Sequence, residues 1–146
     1  MKTWVVVASA ARARMIESAG PRTPLRELSD LVNPQERLHP RELKTDKPGR
    51  AVDSLGGQRH AVQTAVEPKE QEAIRFAKQA IETLESGLQA GRFDALYLVA
   101  PPHFLGLLRA QMSPALARAV RGELVKDLTR ERLSDLAEHL APLLRP

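Results

Sequence analysis

The residue types able to do chemistry are concentrated in one stretch of the chain. Between Asn33 and Val66 stand Arg37, Arg41, Lys44, Lys47, Arg50 and Arg59, the histidines His39 and His60, and the tripeptide Gly56-Gly57-Gln58. Cationic side chains gathered on one segment suit phosphate oxygens, which position a nucleic acid without reading its sequence. Glu36, Glu42, Asp46 and Asp53 interrupt the basic residues and keep a second reading open. In that reading the charges pair within a solvated loop, each pair worth ~1 kcal/mol or less. Asp53, Ser54 and His60 have the residue types of a nucleophilic triad, which only geometry can identify.

Other chemistries fail on composition. The chain has no cysteine, which removes disulfides, thiolate zinc sites, iron–sulfur clusters and a cysteine nucleophile. The four histidines, His39, His60, His103 and His139, show no metal-ligand spacing, so no metal and no cofactor are expected. No Gly-x-x-x-x-Gly-Lys-Ser/Thr loop is present to cradle a nucleotide. His139 falls on an amphipathic stretch, where a surface position is the simplest account. His103 follows Pro101-Pro102 at a strand end, a place where α/β folds bind ligands or where a helix merely begins.

The net charge is +4, and its distribution is uneven. Through Val66 there are eleven Lys and Arg against seven Asp and Glu; from Glu67 onward there are eleven of each. A basic half beside a neutral half is a candidate footprint for nucleic acid, or a mixed-charge surface that keeps the protein in solution. Trp4-Val5-Val6-Val7-Ala8 is shorter than the ~7–15 residues of a secretory core and runs straight into Arg12 and Arg14. A cytoplasmic protein without membrane insertion is therefore expected.

These 146 residues fit one domain, 1–146, and its elements can be placed from spacing. Strands are expected at Thr3–Ser9 and Ala13–Ser18. In Leu25–Val32 a Thr23-Pro24 start and the spacing of Leu25, Leu28 and Val32 also fit a helix. Gly20-Pro21 and Asn33-Pro34 bound a strand's length, however, so a third strand is expected there. Residues 33–66 carry Pro34, Pro40, Pro48, Gly49, Gly56 and Gly57 without a sustained period, which predicts a long loop suited to function or mobility. From Pro68, residues Ile74, Ala77, Ile81, Leu84 and Leu88 form one helical stripe, stopped near Gly91. Asp94–Ala100 reads as a buried strand, Phe104–Met112 as a short helix, and Ser113-Pro114 as the start of another. Gly122–Leu128 is the last expected strand, and Thr129 caps a final helix facing the core through Leu133, Leu136, Leu140 and Leu144.

The order β-β-β-α-β-α-β-α, with its penultimate helical part split in two, is the ribonuclease H-like order. Right-handed crossovers would place helices on both faces of a mixed sheet. A nuclease of that fold needs carboxylates converging on metal ions, one of them from the first strand. Here that strand carries no acid, and Ser9 is its only polar candidate near the end.

Motifs along nearly the whole chain resemble the bacterial host-attachment protein family. They are Trp4-Val5-Val6-Val7-Ala8, Ala11-Arg12-Ala13-Arg14, the run from Glu36 to Leu43, and Asp46-Lys47-Pro48-Gly49-Arg50. Arg59-His60-Ala61, Val99-Ala100-Pro101-Pro102, Phe104-Leu105-Gly106-Leu107-Leu108-Arg109 and Lys126-Asp127-Leu128-Thr129 extend the match. The family's name comes from a role in attachment to host cells. The resemblance also implies kinship with the middle domain of archaeal–eukaryotic class I release factors, where a Gly-Gly-Gln tripeptide lies between the third strand and the first long helix. Gly56-Gly57-Gln58 occupies that interval here. On this analogy the glycines would permit close backbone approach to RNA. An amide and the Gln58 side chain would position water at an ester carbonyl.

The leading expectation is a non-nuclease module binding RNA, the ribosome or tRNA. Its candidate binding residues are Arg41, Lys47, Arg50, Gly56, Gly57, Arg59 and His60, with Gln58 as the candidate catalytic residue. One alternative is an ester hydrolase acting on peptidyl-tRNA through Gln58. Another is an accessory protein acting indirectly in attachment through protein partners; on either reading Gly56-Gly57 could be no more than a turn before a helix.

Overall fold

A computed structural model describes residues 2–20, 23–34 and 55–144, the stretch 55–68 through its backbone alone. Thr3–Ala8 (β1) is a run of β-branched and aromatic residues, and Trp4 through Ala8 are all buried. Such a strand needs hydrogen-bonded neighbours on both edges and cover on both faces. Arg12–Ser18 (β2) pairs with it antiparallel, and Arg26–Val32 (β3) pairs antiparallel with β2. On the other edge Ala95–Ala100 (β4) runs parallel to β1, and Val120–Val125 (β5) runs parallel to β4. The sheet order is β3-β2-β1-β4-β5, a five-stranded mixed sheet of the expected α/β class.

Four helices complete the described chain: Leu55–Gln89 (α1), Pro102–Gln111 (α2), Pro114–Ala119 (α3) and Leu133–Leu144 (α4). Trp4, Val6, Met15, Leu96 and Leu98 meet Phe76, Ile81 and Leu84 of α1, Phe104 and Leu108 of α2, and Leu116 of α3. Val5, Val7, Ile16 and Val99 project to the opposite face and meet Leu136 and Leu140 of α4. Helices therefore cover both faces, but not for the reason expected. Both crossovers, β3 to β4 and β4 to β5, step the same way along the sheet, so one handedness puts α1, α2 and α3 on a single face, and the C-terminal α4 covers the other.

Local signals explain most boundaries. The hydroxyl of Ser113 accepts from the Leu116 amide at 3.1 Å and caps α3, whose first residue is Pro114. At the end of α1, Gly91 takes φ +72°, the Arg92 amide reaches the Gly87 carbonyl at 2.9 Å, and the Gly91 amide reaches that of Leu88 at 3.0 Å. This pair of bonds closes a helix through a left-handed residue that glycine adopts without steric cost.

Three boundaries depart from the sequence reading. Helix α1 begins at Leu55 instead of Pro68, so residues 55–66, expected as loop, are helical. A proline suits a helix start, but its φ is also helical; inside a helix it chiefly deletes one N–H bond, here to the Thr64 carbonyl. Strand β5 spans Val120–Val125 instead of Gly122–Leu128, because Val120 already pairs with Leu96. Thr129 does not cap α4, which starts at Leu133. Its hydroxyl and amide both donate to Asp127 Oδ1, at 2.6 and 3.0 Å, which turns the chain out of the sheet.

Two glycines yield opposite predictions for one substitution. A Cβ on Gly87 would lie 2.8 Å from the Trp4 ring, which is buried and packed on Phe93 with centroids 4.7 Å apart. A Cβ on Gly106, within α2, would meet nothing within 4 Å. Gly106→Ala is expected to stabilise by about 0.5–1 kcal/mol through helix propensity. Gly87→Ala gains the same propensity but overpacks, for a net loss of about 1–2 kcal/mol. Urea denaturation midpoints that shift in the same direction for both variants would contradict this packing.

Candidate functional site at the carboxyl edge of the sheet

Strand directions decide what can meet. Strands β1, β3, β4 and β5 all end at one edge of the sheet, and β2 begins there. That edge therefore gathers the 9–11 turn, the end of β3 at Asn33, the start of α2 and the segment leaving β5. The chain between Asn33 and Leu55 leaves from this edge, and α1 descends from it. Carboxyl edges of this kind are where open α/β sheets usually bind ligands.

An arginine clamp, which the sequence reading did not single out, organises one side of the edge. Arg14 has 5% of its side chain exposed and forks onto Glu27, with Nε and Nη2 each 2.9 Å from a carboxylate oxygen. Its Nη1 donates to the carbonyls of Thr129, at 3.1 Å, and Glu131, at 2.6 Å. Arg12 repeats the arrangement two residues earlier: Nε and Nη2 meet Asp30 at 2.8 and 2.5 Å, and Nη1 meets the Thr129 carbonyl at 3.0 Å. Residues two apart on a strand share a face, so both forks lie side by side on the α4 side of the sheet. The bond from Arg12 holds the Asp30 carboxyl below its ordinary range, and that of Asp30 raises Arg12. Asn33 ties the end of β3 to the neighbouring turn, its Nδ2 donating to the Ala10 carbonyl at 3.0 Å and its amide to that of Ala11 at 2.9 Å.

Near the start of α2, His103 Nε2 lies 2.9 Å from Glu70 Oε1, joining that helix to α1. Helix α1 first buries a side chain against the core at Ala73, among its described side chains. At 1.5 Å per residue its backbone reaches Gly57 about 24 Å N-terminal to that point. Gly56, Gly57 and Gln58 thus lie in the first turn of a helix, whereas the sequence reading put them in a loop. Arg59 and His60 follow on the same helix. The first four amides of a helix have no intrahelical acceptor, and this first turn holds no acidic residue.

His39, Arg41, Lys47, Arg50, Asp53 and Ser54 lie outside the described residues. His139 is exposed on α4, 3.5 Å from Glu131. Ser9, at the end of β1, spends its hydroxyl on the Ala11 amide at 3.2 Å. Among the described residues no group of three or more His, Asp or Glu side chains converges to hold a metal ion. No helix among them is long and apolar enough to cross a membrane.

The clamp makes a graded prediction. Arg14→Met leaves Glu27 and two carbonyls without their donor and is expected to cost about 2–4 kcal/mol, toward the low end for a broken buried pair because Glu27 is partly exposed. Asp30→Asn should cost at most ~1 kcal/mol at neutral pH, since both partners are over one-third exposed. Because the folded state depresses the Asp30 pKa, its contribution holds above the ordinary carboxylate range and is lost as pH falls through the depressed value. Urea titrations at neutral and acid pH check both; an Asp30→Asn deficit that grows in acid would contradict the assignment.

The crystal structure of an archaeal translation termination factor is similar over 98% of this chain, with a TM-score of 0.48 and 11% sequence identity. The chain spans 39% of that protein's length. No curated protein matches the sequence. A family model described as "Protein required for attachment to host cells" matches residues 4–140, from the first buried residue of β1 to the last buried leucine of α4, and the chain belongs to that family.

Proposed function

We propose that this host-attachment family protein is a non-nuclease module that binds RNA, on the ribosome or as tRNA, through the N-terminal end of α1 and the basic segment preceding it. One observation carries the reading: Gly56-Gly57-Gln58 lies in the first turn of α1, about 24 Å along the helix from Ala73. The free amides of a first turn and the positive end of the helix dipole favour phosphate. Two glycines add no side chain to obstruct its approach. Arg41, Lys47, Arg50 and Arg59 supply cations on the same part of the sequence, with His60 beside them. In this reading Gln58 contributes hydrogen bonds to the bound RNA.

Co-sedimentation of the purified protein with ribosomes across a salt series tests the proposal. Binding should weaken steeply with salt. Reversing the charge at Arg41, Lys47, Arg50 and Arg59 together should lower the slope of log affinity on log salt by about 3. Binding unchanged by these four substitutions would sink the assignment. Gln58→Ala should retain most of the binding. Hydrolysis of peptidyl-tRNA that disappears in Gln58→Ala while binding persists would instead identify an ester hydrolase.

A further inference from the structure

Helix α1 contains a proline in its interior, five residues before its first buried side chain among those described. Pro68 lies twelve residues past Gly56, inside the helix, so the Thr64 carbonyl lacks the N–H that would otherwise bond it. Such gaps are where helices bend. Two residues on, Glu70 makes the contact with His103 of α2, with both carboxylate oxygens within 3.1 Å of Nε2. Three residues further, Ala73 is the first buried side chain among those described on the helix, and Phe76 is the first in the main core cluster. A backbone weak point, a side-chain tether and the edge of the packed core therefore follow one another within six residues.

We infer that Pro68 and the Glu70–His103 pair form a joint that sets the direction of the N-terminal arm of α1, with Glu70 and His103 as positioning residues for the Gly-Gly-Gln turn. This inference rests on the proposed function only for what the arm presents; the joint itself is a property of the protein alone. Gly57 lies about 17 Å from Pro68 along the helix, so a bend of ~20° at the joint moves it by about 6 Å. The pair is well exposed, with side-chain accessibilities of 71% and 43%, so it biases the arm without locking it. Exposed pairs of this strength shift a two-state population by about two- to five-fold.

The absence of cysteine from these 146 residues allows a direct test in the same chain. Spin labels on Gln63→Cys in the arm and Arg118→Cys on α3 would report the arm-to-body distance by electron–electron double resonance. His103→Ala and Glu70→Ala should each broaden the distance distribution. Glu70→Gln should keep it near the parent, because an amide oxygen still accepts from the imidazole. Pro68→Ala restores the missing N–H and should narrow it. Distributions in His103→Ala and Glu70→Ala that match the parent would overturn the joint. Ribosome co-sedimentation of the same variants separates the two ideas: a responsive arm on a protein that binds no ribosomes upholds the joint and removes the RNA reading.

Discussion

The side chains of Trp4, Val5, Val6 and Val7 point alternately to opposite faces of β1, and every one is buried, so neither face of the sheet can be left to water. That constraint places three helices on one face and α4 on the other. The crossing helices also align β3, β4 and β5, because a strand–helix–strand connection over one face returns the next strand in the same direction, and β1 pairs parallel with β4. Aligned strands end together. The carboxyl edge is thus a consequence of covering the buried sheet, and β3 ends at the same edge.

Covering the second face requires a fastening as well as apolar contact. Among the described residues the helix there is α4, twelve residues long with Leu136 and Leu140 fully buried. The segment leading into it is held by Arg12 and Arg14, whose guanidinium groups satisfy main-chain carbonyls and two carboxylates of β3 at once. A lysine could not span these acceptors, since its ammonium lacks a planar fork. The clamp connects the third strand with the last helix, elements about a hundred residues apart in sequence, and so couples the edge strand to the C-terminal layer.

Much of this architecture was legible in the sequence, for identifiable reasons. The Val5–Val7 run, the three-and-four stripe from Ala77 to Leu88, the Ser113-Pro114 cap and the Gly91 stop are local signals, and each lies where the structure has it; Ile74, the expected first member of that stripe, is instead exposed. The misplaced boundaries fall at residues that suit more than one position. Pro68, Val120 and Thr129 all tolerate two roles: Leu96 recruited Val120 into β5, and Asp127 took the hydroxyl and amide of Thr129 that capping would have used. The candidate site divides the same way. The positions of Gly56 to His60 follow once α1 is known to start at Leu55, whereas the Arg12–Arg14 clamp requires knowing that Glu27 and Asp30 lie on the neighbouring strand. Arginines two apart opposite two acids on the next strand are a pairing signal that a register would have exposed.

Function in this account depends on a tripeptide presented at the far end of a helix, with cations close to it in sequence. Directed hydroxyl-radical probing tests that claim at its centre. An iron chelate tethered to Gln58→Cys, in a chain with no other cysteine, cleaves only RNA that comes close to it. The account predicts discrete ribosomal RNA cleavages from this position, lost at high salt and absent when the chelate is moved to Arg118→Cys on α3. Cleavage from Arg118→Cys alone, or none from Gln58→Cys on ribosomes that retain the protein, would contradict it.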